Sequence, residues 1–85
     1  MRHRKEPPGD KNIIGSRVVA IRKAKKMKQK DFLARLQTFG LDISPTSLSR
    51  LEGQHRLVQD YEVVAIAKAL EVTVGELLGE GYSFE

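Results

Sequence analysis

The side chains best suited to chemistry in this chain are cations, and they crowd one end. Residues 1–35 hold twelve Lys or Arg against three Asp or Glu, residues 36–56 hold two of each, and residues 57–85 hold one Lys against six acids. The net charge of +4 on 85 residues thus hides a basic half and an acidic half. Lys23, Lys25, Lys26, Lys28 and Lys30 form the densest cluster. A basic surface attracts polyanions, and neutralised phosphates supply most sequence-independent affinity for nucleic acid. A merely solvated charged surface is the alternative that charge alone leaves open.

Other chemistries find no support in the residue types. The chain has no cysteine, which excludes disulfides and thiolate metal sites. His3 and His55 are far apart in sequence, and two imidazoles fall short of the four ligands of a structural zinc. There is no Ser-His-Asp or Cys-His set, no pair of carboxylates on one helical face and no glycine-rich phosphate loop. Neither an enzyme nor a cofactor nor a metal is expected. No apolar run nears the ~20 residues of a membrane span, and no signal-peptide core follows the basic N-terminus. The expectation is a cytoplasmic chain with no membrane contact. At this length a chain buries only around 60% of its unfolded surface, enough for one core and no separate ligand domain.

The elements that must position the cations read as helices. Residues 1–12, with Pro7-Pro8, a glycine and no apolar residue after Met1, read as a flexible basic arm. Ile14, Val18 and Ile21 recur at helical spacing and predict a first helix over about 15–26, capped by Asn12 or Ser16. A second starts near Gln29 and carries Phe32, Leu33, Leu36 and Phe39, with Gly40 as its stop. Ser44 as N-cap and Pro45 as first helical residue open a short third, which buries Leu48 and Leu51 and ends at Glu52-Gly53. Asp60 is the expected N-cap of a fourth, with Val58 as a hydrophobic staple and Val63, Val64, Ile66, Ala67 and Leu70 as its apolar set. Thr73 and Glu76 form a capping box for a fifth that buries Leu77 and Leu78, and residues 79–85 are a tail. No segment alternates as a strand. The domain spans 13–78, and the fold class is all-α, a compact five-helix domain.

Three strings, VVAIRKAKKMKQKDFLARLQ, ISPTSLSRLEG and DYEVVAIAKALEVTVGELL, occur in this order. With them the chain resembles the lambda-repressor and Cro-type helix-turn-helix family, also called the xenobiotic-response-element family. The resemblance covers residues 14–78, about three quarters of the chain. It implies a lambda-repressor-like DNA-binding domain whose third helix enters the major groove of double-stranded DNA while the second crosses the backbone.

The resemblance also implies roles for particular residues. Base contacts fall to Pro45, Thr46 and Arg50, with Ser47 and Ser49 at the edges. Arg50 can grip a guanine bidentately or hold a phosphate, and both remain open. Thr46 offers a hydroxyl or a methyl, and Pro45 offers apolar contact or simply starts the helix. Gln29, at the start of the second helix, is given a phosphate, with Lys28 and Lys30 beside it. Gln54 and Arg56, in the loop after the third helix, are further phosphate candidates, although Gln54 stands where relatives usually have glycine. Arg22 and Glu52 correspond to a structural ion pair between the first and third helices. From Ala34 to Ile43 the chain is about four residues longer than the family's short turn. That is close to one helical turn, so an extended second helix is expected, with Phe39 on its buried stripe.

A single short helix reads few base pairs, so a homodimer on a palindrome is expected. Val74, Leu78, Tyr82 and Phe84 either form its seam or cap the monomer core. The basic arm either follows a DNA groove or is a solvated tail. The function expected is that of a transcriptional regulator, a repressor. The alternative is an antitoxin-like or adaptor module that mainly binds a protein partner and binds DNA weakly.

Overall fold

Five helices follow one another in the computed structural model, which describes residues 9–79. They are α1 Gly15–Ala24, α2 Gln29–Thr38, α3 Pro45–Glu52, α4 Asp60–Leu70 and α5 Val74–Leu78, with no strand among the described residues. Asn12 starts α1: its Oδ1 accepts the Gly15 N–H at 2.8 Å and the Ile14 N–H at 3.2 Å. Ser16 lies inside the helix, exposed. The helix stops at Ala24, short of the expected residue 26, because Lys26 turns left-handed at φ 57°. The Met27 N–H then bonds back to the Arg22 carbonyl at 2.9 Å, satisfying an otherwise orphaned acceptor.

A similar reversal ends α2 and corrects the place of Phe39. Gly40, at φ 88°, donates to Gln37, and the Leu41 N–H donates to Leu36 at 2.9 Å. Glycine takes this left-handed conformation without the Cβ penalty. The chain therefore leaves the helix after Thr38, and Phe39 is 43% exposed where a buried residue was expected. Leu41, swung inward by the reversal, joins the core instead. Residues 39–44 connect to α3, whose start is the expected one: Ser44 Oγ accepts the Ser47 N–H at 3.0 Å, with Pro45 at the first helical position.

The N-cap of α4 is Gln59, and Asp60 is its first helical residue. Glu62 decides this, because its Oε1 accepts the Gln59 N–H at 2.8 Å. Val58 and Val63 flank that start, both partly buried against the core. Thr73 caps α5 reciprocally with Glu76, through bonds of 2.9 and 2.8 Å. Val18, Phe32, Leu36, Leu48, Leu51, Ile66, Leu70 and Leu77 are fully buried, drawn from all five helices. Helix α4 packs on α2, and α1 on α3. Val64 and Leu78 were expected inside and are exposed. Glu62, Ile66, Ala69 and Leu70 set the inner face of α4, which turns Tyr61, Val64 and Lys68 outward. No helix of the described residues is long and apolar enough to cross a membrane.

Candidate nucleic-acid interface

Leu48 and Leu51 pin α3 to the core, and helical geometry then turns its other side outward. Pro45, Thr46, Ser49 and Arg50 are exposed there, and Ser47 is half-buried. The Arg50 guanidinium folds back along its helix, and Nη2 donates to the His55 carbonyl at 3.1 Å. This is an exposed bond, so a ligand can take it over at small cost.

The far end of α3 is clamped. Arg22 on α1 donates Nε to Glu52 Oε2 at 2.9 Å and Nη2 to Oε1 at 3.1 Å, the fork geometry in which guanidinium and carboxylate pair best. The third nitrogen, Nη1, donates to the Met27 carbonyl at 3.1 Å. The expected ion pair is present.

Gln29 belongs to the same network. Its Nε2 donates to Glu52 Oε1 at 3.1 Å and to Ser49 Oγ at 3.4 Å. The amide N–H groups assigned to a phosphate are thus engaged by α3, and Gln29 ties the start of α2 to the clamp. What the position still offers an anion is the first backbone N–H groups of α2, which have no acceptor within the helix. Lys28 and Lys30 flank it and are exposed, as are Lys23, Lys25 and Lys26.

In the loop after α3, the two other phosphate candidates bond within the protein. Gln54 occupies the left-handed region at φ 64°, the backbone conformation expected of a glycine place. Its side chain turns inward, and Nε2 donates to the Asn12 carbonyl at 2.8 Å. Arg56 also faces inward, with Nη2 on Glu62 Oε2 at 2.9 Å and Nη1 on Oε1 at 3.4 Å. Glu62 is 3% exposed, and an anion so deeply placed needs its cation. Both side chains are engaged within the protein, where they hold the loop together.

The sequence reading also missed residues 9–12. They lie along the loop that leaves α3, where the Gly9 N–H reaches Gly53 O at 2.9 Å and the Lys11 N–H reaches Gln54 O at 3.0 Å. Asn12 Nδ2 adds bonds to Leu51 O at 3.2 Å and Arg56 O at 2.8 Å. The arm is therefore not free up to residue 12; residues 1–8 lie outside the described part of the chain. Glu62 and Arg17 were missed as well. Arg17 holds the end of α5, with Nε on Leu77 O at 3.0 Å and Nη2 on Glu76 O at 2.7 Å.

Of the residues considered for a dimer seam, Val74 is half-buried, Leu78 is 38% exposed, and Tyr82 and Phe84 lie outside the described residues. Leu78 borders an open groove of about 310 Å³ shared with Ile13, Leu57, Val58 and Val63. A scan against protein-family models and searches of curated proteins and of solved structures found no match.

Proposed function

We propose that this chain is a sequence-specific double-stranded-DNA-binding protein that acts as a homodimeric transcriptional repressor, with α3 in the major groove. The proposal includes a lambda-repressor-like arrangement of the five helices. The observation that carries it is the outer face of α3: Thr46, Ser49 and Arg50 stand exposed on a helix held from behind by the Arg22–Glu52 fork. A rigid helix that presents hydroxyls and a guanidinium suits base edges, because direct readout needs donors and acceptors held in register. Exposed lysines at the α1–α2 turn supply the non-specific phosphate attraction.

The test is selection of bound duplexes from a random pool by the purified protein at two salt concentrations. An enriched palindrome that persists at the higher salt is the expected result. Binding that vanishes with salt, without enrichment, leaves only charge-driven affinity. One observation favours a second reading, an adaptor or antitoxin-like module that binds a protein. Leu57 at 72% and Tyr61 at 65% exposure flank the start of α4, and Leu57 also lines the Leu78 groove. Apolar surface of that kind marks partner contacts. It also serves the homodimer.

A further inference from the structure

The third helix ends in a turn that its own sequence disfavours. The Gln54 N–H donates to the Leu51 carbonyl at 3.0 Å and the His55 N–H to the Arg50 carbonyl at 2.8 Å, the paired bonds of a left-handed helix end. Such an end calls for glycine, because a Cβ crowds the backbone at positive φ. Here Gln54 takes the place at φ 64°, and the glycine stands one position earlier, as Gly53 at φ −85°. The turn is therefore held from outside.

Residues 9–12 hold it on both sides of Gln54. The Gly9 N–H bonds the Gly53 carbonyl at 2.9 Å, and the Lys11 N–H bonds the Gln54 carbonyl at 3.0 Å. The Gln54 side chain closes onto the Asn12 carbonyl at 2.8 Å, while Asn12 Nδ2 reaches the Leu51 and Arg56 carbonyls. The fit at Gly9 is tight: a Cβ there would run into the Gln54 carbonyl oxygen and lie 2.7 Å from His55 Nδ1. A glycine at position 9 thus lets the backbone fasten a turn that lacks glycine at position 54.

The held turn meets the candidate interface at Arg50. The His55 peptide grips Arg50 at both ends: its N–H bonds the Arg50 carbonyl, and its carbonyl accepts Arg50 Nη2 at 3.1 Å. The side-chain bond is exposed and yields to a ligand. Until then it favours the rotamers that keep the guanidinium at the exit of α3, so less side-chain freedom is lost on binding. We propose that residues 9–12 are a strap that fastens the left-handed turn at Gln54 and thereby positions Arg50 for the duplex. Gly9 and Asn12 are positioning residues that act through Arg50. The inference rests on the DNA-binding reading above.

Two measurements on the full chain test the strap, one of them without DNA. Amide hydrogen exchange reads the turn: Gly9→Ala speeds exchange at Gln54 and His55 beyond any change at the buried Ile66 and Leu70 of α4. Asn12→Asp, which keeps the α1 cap, loosens the strap from its other end and gives the same pattern. Duplex affinity reads Arg50. Gly9→Ala weakens binding to a selected duplex by about two- to tenfold, the span of one net hydrogen bond. That loss vanishes in an Arg50→Ala background, since the two residues act as one unit. Gln54→Gly also reverses it, because glycine keeps the turn without the strap. Unchanged exchange at 54 and 55 in both variants overturns the strap. A Gly9→Ala loss that persists beside Arg50→Ala, or that Gln54→Gly leaves uncorrected, overturns its route to Arg50. A native chain that binds no duplex even at low salt overturns the DNA-binding reading itself, while exchange still decides the strap.

Discussion

Arg22 and Glu52 join α1 to the end of α3 through two parallel bonds, with side chains only 12% and 9% exposed. Removing one member leaves the other charged and nearly buried, which costs about 3–5 kcal/mol. Glu52→Ala also strips the acceptor from Gln29 Nε2. At about 4–8 °C per kcal/mol for a domain of this size, the melting temperature of Glu52→Ala falls by more than about 10 °C. Glu52→Gln keeps an oxygen for one prong and falls less. A melting temperature unchanged in Glu52→Ala would show that the fork contributes nothing.

Arg56 separates a structural role from a DNA role. It is the cation for Glu62, whose side chain is 5% exposed, and is itself 24% exposed. Arg56→Ala therefore destabilises the chain by about 2–4 kcal/mol, somewhat below the figure for a fully buried pair. A phosphate ligand would instead reduce the salt slope of DNA binding by about 0.9. Denaturant titration combined with salt-dependent binding well below the melting point decides between them: lower stability with an unchanged slope is expected.

Arg50 behaves in the opposite way. It is exposed, and its bond to the His55 carbonyl can exchange with water. Arg50→Ala shifts stability by no more than about 0.5 kcal/mol. Binding to a selected duplex weakens by about 1–3 kcal/mol if the guanidinium reads a guanine, with specificity relaxed at that one base pair. If it holds a phosphate, binding weakens uniformly and the slope falls by about 0.9. Wild-type affinity in the variant would remove Arg50 from the interface.

Which features could be read from sequence follows from how local their causes are. Ser44-Pro45 and Thr73–Glu76 announce helix starts because each cap closes within three residues. Five helices were legible for the same reason, joined to apolar spacing. Phe39 was misplaced because its spacing continued the α2 stripe, while Gly40 at φ 88° had already ended the helix. Gln29, Gln54 and Arg56 look from sequence like free polar side chains near α3. Their partners, Glu52, Asn12 and Glu62, are fixed by tertiary packing. Arg17 on Leu77 O spans sixty positions and leaves no periodic trace. Arg22 and Glu52, thirty positions apart, became a pair only through family resemblance.

Asn12 ties the loop after α3 to the start of α1, and its two ends can be tested separately. Its Oδ1 caps α1, and its Nδ2 serves the Leu51 and Arg56 carbonyls. Asn12→Asp keeps the cap and loses the donors; Leu51 O keeps the Gln54 N–H at 3.0 Å, whereas the Arg56 carbonyl loses its Asn12 partner, at about 1–3 kcal/mol. Asn12→Ala loses the cap as well, a further ~1 kcal/mol. Removing residues 1–8 takes away none of these bonds, whereas removing 1–12 takes all of them. Thermal melts of the two truncations should therefore differ, the longer one being less stable. Equal melting temperatures would mean that residues 9–12 add nothing to the fold.

Glu76 ties the stability of α5 to pH. Its carboxylate accepts the Thr73 N–H at 2.8 Å, and its own N–H donates to Thr73 Oγ1 at 2.9 Å. The bond from the Thr73 backbone is the main reason its pKa lies below the ordinary 4.5; the Thr73 side chain acts in the same direction, desolvation opposes them, and the positive charge of Lys25 adds a lesser lowering. A carboxylate whose folded pKa is depressed stabilises the fold above its unfolded value and loses that contribution as pH falls through the folded value. The cap on α5 is therefore complete at neutral pH and fails only below 4.5. Glu76→Gln removes the charge at every pH, so its stability curve is flatter over the acid range than that of the native chain. The direct measurement is an NMR titration of the Glu76 side-chain carboxyl in the folded protein. A midpoint below 4.5 is expected, and one at or above it would mean that the Thr73 bond does not favour the charged form.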